Sequence, residues 1–142
     1  MKVLLFHPTL LPPKDYGGVE RVVLWLARGL VERGHEVWVA AFPGSRLPEG
    51  ARLLAIEPDQ VSAAELLTRL PKGVELVHFQ APADGGAWEK LPCAKLLTVH
   101  GNGKPGETFP QQTVFLSADH ARRHGATAFV HNGIDPSEYR FD

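Results

Sequence analysis

The sequence predicts a three-layer α/β domain built on a doubly wound, mainly parallel sheet of about six to seven strands. Three observations predict it. Val3–Phe6 is an unbroken apolar run, as in a strand buried on both faces. A long amphipathic helical segment follows, and then a second apolar run at Glu36–Ala41. Strand-like and helix-like segments then alternate to the end of the chain, the pattern of βαβ units with right-handed crossovers.

The elements follow in order. After Val3–Phe6 comes a loop from His7 to Gly18 that holds Pro8, Pro12, Pro13, Gly17 and Gly18. Val19, Val22, Val23, Leu26, Ala27 and Leu30 keep the i, i+3, i+4, i+7 spacing of a helix with one apolar face, and Gly34 ends it. Further strands are expected at Arg52–Ile56, Val74–Phe79, Lys95–His100, Thr113–Leu116 and Ala128–His131. Helices are expected at Ala63–Leu70, capped by Ser62 with Glu65 at capping-box spacing, at Asp84–Leu91, and from Ser117 through His124. The segment after Asn132 reads as a linker-like exit.

Composition narrows the functions. The 142 residues carry 15 Lys and Arg against 16 Asp and Glu, a net charge of -1, with no basic cluster of the kind nucleic acid needs. Cys93 is the single cysteine, so no internal disulfide can form and a reducing compartment is expected. It follows Pro92 among apolar residues and reads as an inert packing thiol. The N-terminal apolar run is too short for a secretory or membrane-spanning segment. The expected location is the cytoplasm, with a peripheral membrane contact left open.

Ligands of open α/β sheets bind beyond the carboxyl ends of the strands. His7, His78, His100 and His131, four of the seven histidines, fall at that edge. No H-E-x-x-H or C-x-x-C spacing accompanies them, so no metal is expected. Two readings stay open: histidines bonded to nearby backbone, or a polar cleft whose imidazoles bind sugar hydroxyls or phosphate. His100, followed by a glycine-rich segment that includes Asn102, is the strongest candidate. Tyr16-Gly17-Gly18-Val19-Glu20-Arg21 opens a helix after the proline-rich loop. Its free N–H groups and positive dipole end suit an anion, although a plain glycine turn also fits. Glu20 either complements the dipole or accepts hydrogen bonds from a sugar. Gly101 to Gly106 spells G-x-G-x-x-G, but Pro105 and Pro110 prevent the helix that a dinucleotide fingerprint must open. It reads as a mobile loop over the cleft, and no nicotinamide cofactor is expected.

Four segments together resemble glycosyltransferase family 4, specifically the N-terminal domain of its two facing Rossmann-like (GT-B) domains. They are Tyr16–Arg21; Glu32-Arg33-Gly34-His35-Glu36-Val37; Leu97-Thr98-Val99-His100; and Val130-His131-Asn132-Gly133-Ile134-Asp135, followed by Tyr139 and Phe141. The resemblance covers essentially the whole chain. It implies a retaining transferase that takes a nucleotide sugar as donor substrate, with no cofactor, and a sugar or lipid-linked acceptor. It puts the donor diphosphate near Gly17 and Gly18, the transferred sugar at His100, and the acceptor near Glu20; His7, His78 and Asn102 are further candidates for substrate contact. Residues 1–132 would form the acceptor-side domain. Asn132, Gly133 and Asp135 would form a hinge, with 133–142 beginning the interdomain linker. A donor-binding C-terminal domain, in cis or in trans, would be needed to complete the cleft, so the chain alone is expected to be inactive. The alternative is a stand-alone module that binds an anion or sugar phosphate without catalysis.

Overall fold

The computed structural model describes residues 1–60, 62–82, 88–104 and 106–139. Six strands form one all-parallel sheet: β1 (Lys2–Phe6), β2 (Glu36–Ala41), β3 (Ala51–Ala55), β4 (Leu76–Phe79), β5 (Ala94–Thr98) and β6 (Thr113–Val114). Their spatial order is β3-β2-β1-β4-β5-β6. The strand order reverses between β1 and β4, which makes that junction the topological switch point.

The helices are α1 (Gly18–Glu32), α2 (Ala63–Arg69) and α3 (Ala118–Arg123). α1 ends in a Schellman motif: the His35 N–H donates to Leu30 O, the Gly34 N–H donates to Val31 O, and Gly34 adopts φ +78. Ser62 and Ser117 cap α2 and α3 by accepting from the N–H groups of Glu65 and His120. No side chain caps α1, whose N-cap position is Gly17.

Two buried clusters sandwich the sheet. Val23 and Ala27 of α1 pack on Val3, Leu5, Val37 and Val39. On the opposite face Leu66 of α2, Trp88, Leu91 and Ala121 of α3 cover Leu4, Phe6, Val77, Phe79 and Leu97. Along β1 and β2 the residues alternate between these clusters, as strands buried on both faces require.

The expected seventh strand, Ala128–His131, shrinks to a single parallel bridge between Phe115 and Phe129. It has the sheet on one side only, and Phe129 and Val130 are exposed, so burial does not extend the ladder. The expected helix at Asp84–Leu91 falls largely on residues 83–87, outside the described residues; 88–90 form a turn. Among the described residues no helix is long and apolar enough to cross a membrane.

Leu5 lies fully buried at the centre of the α1 face. Leu5→Ala is expected to cost about 2–5 kcal/mol, read as a lower denaturation midpoint at unchanged m-value; a loss under about 1 kcal/mol would mean the α1 layer packs less tightly than this.

Candidate functional site

Each of the candidate residues is positioned by a strand end or by the first turn of α1. His7 directly follows β1, where its backbone N–H donates to Ala40 O. The residue is buried (6% exposed), yet neither ring nitrogen has a hydrogen-bond partner within the protein. Nε2 lies 3.8 Å from Glu20 Oε1, an electrostatic approach too long for a hydrogen bond. Burial holds the imidazole below its ordinary pKa despite the neighbouring carboxylate.

His100 stands beyond β5. Its Nε2 is 2.7 Å from Gln80 Oε1. With that oxygen as acceptor, Nε2 carries the proton and Nδ1 is left as a buried acceptor with no partner. Burial first, and then His7, lower its pKa. Gln80 is itself buried and its Nε2 is unpartnered. The buried hydroxyl of Thr9 is likewise unpartnered. Orphaned buried polar groups are rare and call for an explanation; among the described residues four of the five side chains that carry them, His7, Thr9, Gln80 and His100, lie at or just beyond the carboxyl ends of β1, β4 and β5, the fifth being His120 in α3.

His78 is different. It lies inside β4 and shares the α1 face with Leu76, and its Nε2 hydrogen-bonds Thr98 Oγ1 at 2.8 Å. Burial, and secondarily His100, push its pKa down to about 4. His78, Thr98 and His100 line a groove of about 700 Å³ between α1 and the segment 130–136.

The two glycines at the start of α1 differ. A Cβ on Gly17 would fall 2.5 Å from two Pro13 carbons and 2.9 Å from Glu20 Oε2. A Cβ on Gly18 would meet only the Tyr16 hydroxyl, at 3.6 Å, within the surrounding 4 Å. Gly17 is therefore a packing glycine, and Gly18 leaves the backbone open to approach. Tyr16 beside it is 95% exposed.

Asn102 is exposed, and its backbone carbonyl accepts from His124 Nε2 at 3.0 Å. His124 in turn stacks on Phe115 with ring centroids 5.3 Å apart. The loop expected to be mobile is thus fastened at Asn102, on the α3 side. Asn132 and Gly133 line the rim of the groove. Asp135 is pinned to α1: Arg28 Nη1 donates to Oδ2 at 2.6 Å, and Arg28 Nη2 lies 3.2 Å from Glu138. The hydroxyl and N–H of Ser137, then Arg28, hold the Asp135 carboxyl below its usual range. His131, also expected at this edge, is exposed and packs on Phe129.

The sequence reasoning missed three partners. Gln80 follows a strand end and was open to the same edge argument. His124 and Arg28 carry no local signal, because their partners lie 22 and 107 residues away. Among the described residues no group of three His, Cys, Asp or Glu is arranged to hold a metal ion.

Comparison with known proteins fits this geometry. The sequence model of glycosyltransferase family 4 matches residues 16–135. Among solved structures, the chain is similar to AviGT4, a glycosyltransferase involved in avilamycin A biosynthesis, with a TM-score of 0.74 and 26% identity. The match covers 98% of this chain and 44% of AviGT4, so the chain spans less than half that protein's length. No curated protein matches the chain.

Two predictions follow from the site's packing and charge. Gly17→Ala is expected to destabilise by about 1–3 kcal/mol through overpacking on Pro13, while Gly18→Ala leaves stability unchanged or slightly higher. Equal losses in denaturant titrations of the two would remove the distinction between them. His78 is the most strongly shifted of the site's histidines: its folded pKa of about 4 lies below the ordinary histidine value of about 6.5. The unfolded chain then binds more protons between those values, and stability falls as pH drops from 6.5 towards 4, by on the order of 3 kcal/mol. Unfolding free energies at pH 7 and pH 5 read about 2 kcal/mol of that loss, and His78→Asn should remove the share that His78 contributes.

Proposed function

Because the chain belongs to glycosyltransferase family 4, we propose that it is the N-terminal, acceptor-side half of an enzyme that moves a sugar from a nucleotide-sugar donor to an acceptor. The observation that carries this reading is the set of buried, unpartnered polar atoms on His7, Gln80 and His100, gathered at the carboxyl ends of β1, β4 and β5. In this reading the unprotonated Nδ1 of His100 accepts a hydroxyl of the transferred sugar. The uncapped first turn of α1 faces the donor diphosphate at Gly18. Residues 132–135 lead towards a second, donor-binding domain, and Arg28 sets the angle at which they leave. The match to 44% of AviGT4 supports a partial enzyme.

Sugar transfer needs charge stabilisation on the departing diphosphate and exclusion of water from the reacting centre. In this reading those functions belong to the second, donor-binding domain. The chain alone is therefore expected to bind nucleotide sugars no better than millimolar and to show no significant turnover. Calorimetric titration with nucleotide sugars and nucleoside diphosphates tests this. Micromolar binding that Gly18→Val abolishes would instead favour a self-sufficient anion-binding module, and robust transfer by the purified chain would overturn the half-enzyme reading.

A further inference from the structure

The stretch from Gly101 to Gly106 spells a dinucleotide fingerprint, yet no described helix starts there. One side chain, His124, holds the segment 102–109 at both ends. At the near end its Nε2 bonds the Asn102 carbonyl at 3.0 Å. A carbonyl oxygen only accepts, so Nε2 carries the proton. Gly103 follows at φ +68, and a Cβ there would fall 2.7 Å from His124 Cε1 and 2.8 Å from Nε2. The backbone lies against the ring, an approach that glycine permits. At the far end Phe109 meets the same ring edge-on, with centroids 5.1 Å apart. Between them Lys104 and Glu107 bond each other reciprocally: the Lys104 N–H donates to Glu107 Oε2 at 2.7 Å, and the Glu107 N–H donates to Lys104 O at 3.1 Å. The ring that holds the segment is itself fixed. His124 is the C-cap of α3, with its N–H donating to Ala121 O. Its imidazole stacks on Phe115 at an interplanar angle of 8°, and Phe115 is fully buried.

We propose that His124 is a positioning residue: by clasping the backbone at Asn102 and Gly103 it fixes the chain that leaves His100, and with it the direction of the His100 imidazole. That ring makes one hydrogen bond within the protein, from Nε2 to Gln80, and Nδ1 has none. Its remaining orientation is set by the backbone on either side. On the sheet side, the Val99 N–H donates to Val114 O and ties the chain to β6. On the other side stands Gly101, which makes no backbone hydrogen bond among the described residues and whose Cβ position is open space. Such a glycine holds nothing by itself. The Asn102 carbonyl is therefore the first fixed point after His100, and His124 fixes it to the core through Phe115. The functional weight of this assignment rests on the reading that His100 meets the transferred sugar, but the clasp has its own reporters.

The test uses the 142-residue chain with labelled backbone amides and histidine rings, followed by NMR, with UDP-glucose as the probe. His124→Phe keeps an aromatic ring on Phe115 and removes the donor. Amide order parameters at Asn102 and Gly103 are expected to fall from about 0.85 to below about 0.6, and the His100 ring signals to move. His124→Gln returns an N–H to the place of Nε2 and should restore both. Gly103→Ala leaves α3 intact and should loosen the segment in the same way, so it carries the test if His124→Phe fails to fold. UDP-glucose is expected to shift the His100 ring, with a dissociation constant about threefold to tenfold higher in His124→Phe, because the ordering cost then falls on binding. Unchanged order parameters in both His124→Phe and Gly103→Ala would overturn the proposal. So would a loosened segment with the His100 ring signals unmoved, since His124 would then be a tether without influence on the site. If UDP-glucose moves no His100 signal in the unsubstituted chain, the donor-sugar reading fails, while order parameters and ring signals still decide the role of His124.

Discussion

The candidate site depends on β1 being hydrogen-bonded in parallel on both sides, to β2 and to β4. Parallel neighbours cannot be joined by a hairpin, so the chain must leave β1, cross a face of the sheet and return. The crossover to β2 puts α1 on one face, and the rightward crossovers put α2 and α3 on the other. The two directions diverge at the carboxyl end of β1. The loop and helix that leave there cannot close over the ends of β4 and β5. A crevice at that point is a consequence of handedness, and His7, Gln80 and His100 are the residues that the register delivers to its floor.

That origin explains why the polar atoms are both buried and unpartnered. A strand end at the switch point is surrounded by sheet and by the start of α1, which removes bulk water without supplying backbone partners. Desolvation then governs the imidazoles. It lowers the pKa of His7 even with Glu20 nearby, lowers that of His100, and depresses that of His78 to about 4. A neutral imidazole offers one donor and one acceptor. The edge therefore suits hydroxyl-bearing groups, while the one open stretch of helix start, at Gly18, suits an anion.

Much of this was legible in the sequence because it follows from local pattern. The 3.6 period from Val19 to Leu30 and the glycine at Gly34 locate α1, and the observed Schellman bonds are what such a glycine supports. Ser62 and Ser117 signalled their helices by the same local chemistry. The rule that strand ends line the cleft brought His7 and His100 to one edge. What stayed hidden depends on parity and long range. His78 shares the α1 face with Leu76, so it bonds Thr98 within the sheet and lines the groove. The two adjacent glycines look alike on paper, and only the position of Pro13 separates them. The Arg28–Asp135 pair joins elements that no periodicity connects. The seventh strand had the right composition but no second layer to bury it.

The same handedness accounts for the groove. Parallel sheets normally carry a layer on each face. Here α2 and α3 both pack on the face opposite α1, so the α1 side of β4, β5 and β6 receives no α-helix of its own among the described residues. The segment 130–136 borders that surface instead, held by Arg28 through Asp135. Polar residues are tolerable on such a strip only when they satisfy one another, and His78 and Thr98 do so. His100 forms part of the wall of this groove and also hydrogen-bonds Gln80 at the crevice. The 130–136 segment, fixed on α1 by Arg28, and the His100 imidazole therefore face one another across a single groove.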